Sequence, residues 1–292
     1  MQITAAMVND LRQKTGVGMM TCKKALVEAE GNAEKAIEIL RKQGAAVAAK
    51  RADKDAKEGR VFLVETADKA AAFELSCETE PVSKNADFEA LAAAATKALE
   101  TQNITTVDEL KNASVDGSSI NDRLQDVLVK IQENIGFRKF GVINHTGTDV
   151  FGLYSHMGGK VGVVVRLEYT GTPSDMASLK RTAKDIAMQA SAFSPVAVNN
   201  AAVPAETLAK EQEIARAQIV NEGKTKPEFV DRQIAGRVNK VLKELVLEDQ
   251  EFFMSDKNPK RLAVKDYLME AGKAIGLSSL KVTDFVRFER GK

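Results

Sequence analysis

Hydrophobic positions in the first 44 residues recur at helical spacing, in three short runs separated by glycines. Thr4 is placed to cap a helix whose inner face is Met7, Val8 and Leu11 and which ends at Gly16. A second helix carries Cys22, Ala25, Leu26 and Ala29 inward and stops at Gly31. Asn32 caps a third, with Ala36, Ile37 and Leu40 inward and Gly44 as its stop. The Ala-rich stretch 45–60 follows, with seven Lys or Arg from Arg41 to Arg60. It reads first as a solvated helical linker, and second as a basic binding surface diluted by Asp53, Asp55 and Glu58.

The period then changes to strands and repeats itself. Val61–Val64 is strand-like, turns at Asp68-Lys69 and returns along Ala70–Thr79, before an alanine-rich helix from Phe88 to Leu99. Val150–Tyr154, a turn at Gly158-Gly159, the run Val161–Tyr169 and a helix from Met176 to Ala192 repeat that order, with Lys69 and Thr79 mapping onto Lys160 and Thr170 at an offset of 91 residues. Between the copies the pattern predicts a helix over 120–131 and a strand over 140–143. Pro204 opens a long helix running to Gly223. Pro227 precedes another, with Val230, Ile234, Val238, Val241 and Leu245 as a coiled-coil seam, so the two form an antiparallel helical hairpin. Val282–Phe288 alternates as a final strand.

The expected fold is α+β, with a three-helix module and basic linker at 1–54 and a first α+β subdomain at 55–144. A second, related subdomain spans 145–292 and contains the hairpin at about 204–247.

Composition narrows the chemistry. The 292 residues hold 42 Lys+Arg against 41 Asp+Glu, so no whole-chain excess of positive charge marks a nucleic-acid footprint. Two cysteines make no disulfide framework, and the N-terminus lacks the basic and apolar segments of a secretory signal. No run is apolar enough for a membrane span. A cytoplasmic protein is the expectation. His145, His156, Cys22 and Cys77 lack the close spacing of zinc ligands. The nearest approach to a phosphate-binding loop, Gly159-Lys160, has Tyr154 where the first glycine belongs and Val161 where a hydroxyl belongs. No catalytic residue, metal or cofactor is expected, and no enzyme chemistry is supported. The chain works through its surfaces.

Thr15-Gly16-Val17-Gly18-Met19-Met20-Thr21-Cys22-Lys23-Lys24-Ala25-Leu26 resembles the N-terminal signature of the bacterial elongation factor Ts family. Glu133-Asn134-Ile135 with Arg138, Tyr154-Ser155-His156 with Lys160-Val161-Gly162, and Asp185–Met188 agree in order and spacing. So do Glu222-Gly223-Lys224, Gly236-Arg237 and Phe285–Glu289. The resemblance implies a guanine-nucleotide exchange factor that binds the GDP form of elongation factor Tu, disturbs its magnesium and phosphate region, and lets GDP leave. It implies that the three-helix module has a ubiquitin-associated-like (UBA-like) fold. Met19 and Met20 would then contact the partner, with Arg12, Lys23 and Arg51 as polar neighbours. His156, which by itself reads as a structural residue, would lie against the partner too.

One segment departs from the family pattern. The usual Cys-x-Thr-Asp-Phe-Val-Ala-Lys-Asn is here Cys77-Glu78-Thr79-Glu80-Pro81-Val82-Ser83-Lys84-Asn85. Thr79, Glu80, Pro81 and Val82 occupy the contact positions. Glu80 keeps the carboxylate, while Pro81 replaces the phenylalanine that in the family acts as a wedge near the magnesium site. Exchange is expected to survive on the module contacts and Glu80. Three alternatives stand beside it: a chaperone-like partner that holds elongation factor Tu without exchange, an RNA helper using residues 41–60, and a nucleotide-using enzyme.

Overall fold

The computed structural model describes residues 3–222 and 227–292. Three helices open it, α1 (Ala5–Thr15), α2 (Met19–Glu28) and α3 (Ala33–Arg51). The expected caps are in place: the Thr4 hydroxyl accepts from Met7 N–H, the Asn32 side chain accepts from Lys35 N–H, and Gly16 ends α1 with φ at +67°. Val8, Leu11, Cys22, Ala25, Leu26, Ala36 and Leu40 form their shared core.

Gly44 does not stop the third helix, which runs seven residues farther to Arg51. It is buried, and a Cβ there would lie 2.5 Å from the backbone oxygen of Gln125. The glycine marks the crossing of α3 over α7 (Ile120–Ile131), where the two backbones approach too closely for a side chain. The first half of the expected linker is therefore helix. Its charge is dispersed as well: Arg41, Lys42, Arg51, Lys57 and Arg60 each pair with an acid.

Two three-stranded antiparallel sheets follow. The first is ordered β1 (Glu58–Glu65), β2 (Lys69–Cys77), β5 (Gly136–Asn144), and the second β6 (Asp149–His156), β7 (Val161–Thr170), β8 (Ser279–Glu289). β1 and β6 stand 91 residues apart at both ends, and β5 and β8 extend the repeat to a third strand. The alternation along β2 explains the layering. Ala71, Phe73, Leu75 and Cys77 face α5 (Ala86–Thr101) and α7, whereas Ala70 and Ala72 face the other sheet. In β7, Val161, Val163, Val165 and Leu167 face α8 (Met176–Phe193) and α11 (Val264–Ala274), while Val164 meets Ala70 and Ala72. The architecture is thus helix, sheet, sheet, helix, a mixed α+β fold with leading helices. The remaining elements are α4 (Glu80–Ser83), α6 (Val107–Asn112) and a two-residue hairpin, β3 (Ser114–Val115) and β4 (Ser118–Ser119).

Helices α9 (Ala205–Glu222) and α10 (Val230–Leu245) lie antiparallel, with Arg237 paired to Glu222 and Arg216 to Asp231. Their apolar cluster is their own: Ala215, Ile219, Ile234 and Val238, flanked by Leu208, Val230 and Leu242. The seam on α10 keeps to steps of four and continues to Leu242, not to the expected Val241. The expected end of α9 at Gly223, and Lys224 after it, lie outside the described residues. Backbone bonds from Val196 N–H to Leu245 O (2.8 Å) and from Leu247 N–H to Ala197 O (2.9 Å) close the base of the pair.

Candidate functional site

The segment after β2 is a short exposed turn on a fixed mount. Thr79 and Glu80 are exposed, Pro81 is exposed within α4, and Val82 and Ser83 turn inward, Val82 against the first core. Proline is tolerated here because it sits in the first turn of a helix. Glu80 pairs with Lys84 one turn on (2.8 Å), which holds its carboxyl below the ordinary range.

Beneath the turn, Glu133 accepts three bonds: from Glu78 N–H (3.2 Å), Thr79 N–H (3.1 Å) and the Thr79 hydroxyl (2.7 Å). Glu78 in turn accepts from Asn134 N–H (2.6 Å) and from Arg51 through Nε (2.7 Å) and Nη2 (2.8 Å). Arg51, expected at the partner surface, is therefore committed to this bidentate pair. The Arg51 bond draws the Glu78 carboxyl down to about 2, against the raising effect of its partial burial. Desolvation pushes the neighbouring Cys77 thiol up to about 12, so it stays protonated and inert.

The first turn of α5 joins this segment to two others. Asp87 accepts from Lys130 Nζ (2.8 Å), and a Cβ on Gly16 would lie 2.8 Å from that lysine's side chain. The Gly16-Val17-Gly18 turn that starts α2 is thereby linked to α5 through the Lys130 side chain. Glu89 pairs with Arg60, whose Nε also donates to Gly158 O at the tip of the β6–β7 hairpin (3.0 Å). The tip is pinned again by Val61 N–H to Gly159 O (2.8 Å). A Cβ on Gly159, at φ +96°, would lie only 3.0 Å from the Val61 oxygen. Arg290 completes the join, pairing with Glu58 at the start of β1 (2.8 Å) and donating its backbone N–H to Lys160 O (2.9 Å).

Three segments remote in sequence are thus connected around one helix start. From the first, Met19 and Met20 are 51% and 65% exposed on the opening turn of α2, with Lys23 exposed one turn on and Arg12 exposed on α1. From the second come Thr79, Glu80 and Pro81. From the third comes His156, exposed at the end of β6, with its Nδ1 and the Tyr154 hydroxyl 2.9 Å apart. Sequence reasoning missed Met157, which at φ +48° stands 70% exposed beside His156. It also missed the supports Arg60, Asp87, Glu89, Lys130 and Arg290, and gave Glu133 no role. Only long-range pairing reveals them.

The two cysteines are buried and unpaired. Among the described residues no group of three or more His, Cys, Asp or Glu is placed to hold a metal ion, and no helix is long and apolar enough to cross a membrane. The site offers apolar thioethers, a carboxylate and a rigid turn, which suit recognition of a folded surface.

The family model described as "Elongation factor TS" matches residues 78–292. The elongation factor Ts of Nautilia profundicola is 40% identical over 292 residues, covering 99% of this chain and 93% of the relative. That of a Nitratiruptor species is 40% identical, with 100% and 94% covered, and that of Clostridium perfringens 39% identical, with 99% and 93% covered. With the family model matching most of the chain and the relatives aligned over nearly all of it, the chain belongs to the elongation factor Ts family of translation elongation factors.

Proposed function

We propose that this chain is the guanine-nucleotide exchange factor of elongation factor Tu: it binds the GDP form, disturbs the magnesium and phosphate region, and releases GDP. The observation that supports the reading is that the turns next to Met19-Met20, Glu80-Pro81 and His156 are each tied to the first turn of α5, through Lys130 with Asp87, through the chain itself, and through Arg60 with Glu89. The factor makes no covalent change and needs no cofactor, because the nucleotide belongs to the partner. Exchange is a coupling between two ligands of one protein, so the factor must favour the nucleotide-free partner over the GDP-bound one.

In this reading residues 1–54 form a UBA-like module that docks through Met19 and Met20, with Arg12 and Lys23 at the rim. Residues 55–144 carry the exchange turn. Residues 145–292 carry the His156 hairpin and a coiled-coil arm, α9 with α10, reaching another part of the partner. The setting is the cytoplasm, where translation proceeds. Arg51 acts from beneath, through Glu78, rather than at the interface.

Pro81 lacks the ring that would wedge into the magnesium region, and it fixes the backbone instead. Glu80 supplies the charge there. A second reading, a partner that holds elongation factor Tu without exchange, draws its support from the same substitution. Stopped-flow release of fluorescent GDP from the cognate elongation factor Tu separates them. Exchange gives acceleration that saturates with factor concentration; binding without acceleration selects the holding role.

A further inference from the structure

We propose that Glu133 is a positioning residue for exchange: it holds the Glu80-Pro81 turn in its working geometry through the backbone of residues 78 and 79. The proposal rests on the exchange reading above.

The turn cannot hold itself. A four-residue helix such as α4 makes too few internal bonds to be stable alone. Thr79 occupies its N-cap position, yet its hydroxyl makes no capping bond. That hydroxyl donates instead to Glu133, and the two preceding backbone N–H groups point at the same carboxylate. Three donors on one carboxylate fix the direction in which the chain leaves β2.

Glu133 is in turn fixed from its own side. Gln132 ends α7 in the left-handed region (φ +59°), which swings residues 133 and 134 alongside 78 and 79. Asn134 then donates its backbone N–H to Glu78 and its side-chain amide to Lys54 O (2.9 Å). The mount is rigid. The tip is free to meet a partner, since the bond that Glu80 makes to Lys84 stays within its own turn.

A turn ordered before docking spends none of the binding energy on ordering itself. Because the tip acts only where the partner's phosphate region is being disturbed, its placement governs the maximal release rate more than the affinity of the complex. A group that served only to keep the protein folded would not separate those two quantities.

The test is stopped-flow GDP release from elongation factor Tu, driven by the full chain and its variants over a range of factor concentrations. Glu133→Ala is expected to lower the maximal rate by about tenfold, the equivalent of one charge-assisted hydrogen bond, with the half-saturating concentration changed less than about threefold. Glu133→Gln keeps an acceptor for the backbone N–H groups and is expected to restore most of the rate. Thr79→Val removes one donor from the other side and gives a smaller loss with the same split, even if Glu133→Ala folds poorly. With the tip removed by Glu80→Ala and Pro81→Ala together, Glu133→Ala should have no further effect. A wild-type maximal rate in Glu133→Ala, damage by Gln equal to that by Ala, or a full additional loss in the tip-less background would each overturn the positioning role. Failure of the unmodified chain to accelerate release would instead bring down the exchange reading itself.

Discussion

Arg51 and Glu78 are joined by two parallel bonds, of 2.7 and 2.8 Å, that fasten the last residue of α3 to the residue leading from β2 into the Thr79–Ser83 turn. The pair ties the leading helices to the first sheet, so the Met19-Met20 and Glu80-Pro81 segments are held on one connected frame.

Its titration follows from its geometry. The Glu78 carboxyl lies at about 2 in the folded chain, against an ordinary value of 4.5. The pair's stabilisation is therefore complete above about pH 4.5 and is lost as pH falls toward 2. Arg51→Met should lower the thermal midpoint at pH 7 and flatten the dependence of that midpoint on pH between 4.5 and 2. Thermal melts across that window measure it; an unchanged pH dependence would show that the pair contributes nothing.

Gly44→Ala tests the helix crossing. In an exposed helix this change stabilises by up to about 1 kcal/mol. Here the added methyl would meet the Gln125 carbonyl oxygen, so destabilisation of about 1–3 kcal/mol is expected. Denaturant unfolding gives the sign directly.

Met19→Ala with Met20→Ala removes two exposed thioethers and leaves the core of the leading helices intact. The affinity for elongation factor Tu should fall by about thirty- to a hundredfold, as expected for partial burial of two apolar side chains. The thermal midpoint should hardly move. Calorimetric titration beside a melt separates docking from folding.

Pro81→Phe restores an aromatic ring at the exposed turn. Faster maximal GDP release is expected, at little cost in stability because the position faces solvent. Equal or slower release would remove the wedge from the account.

Val238→Asp places a charge in the cluster shared by α9 and α10. Hydrogen exchange should show lost protection in those two helices while the sheets stay protected, because the pair's core is separate from theirs.

The local code was legible where one element decides its own fate. Thr4 and Asn32 cap as their chemistry dictates, and the 91-residue repeat fixes both hairpins. Gly44 misled because a stop and a close helix crossing use the same residue, and only the position of Gln125 tells them apart. The full length of β5 was hidden by polar and glycine positions that are satisfied by pairing with β2. Helix α11 is absent from the expected elements although Val264 and Leu268 keep helical spacing, because polar and loop residues surround so short a run. The exposed candidate residues follow from a signature, whereas the pairs beneath them do not. Glu133 with Thr79, Arg60 with Glu89 and Gly158, and Lys130 with Asp87 join positions too far apart in sequence for any local pattern to link.

An exchange factor must bind elongation factor Tu more tightly without its nucleotide than with GDP. The most direct measurement is the dissociation constant of the unmodified chain for nucleotide-free and for GDP-bound elongation factor Tu under one set of conditions. Tighter binding to the nucleotide-free form by at least about tenfold is expected, with GDP affinity lowered by the same factor when the chain is bound. Equal affinity for the two forms would rule out exchange by this chain.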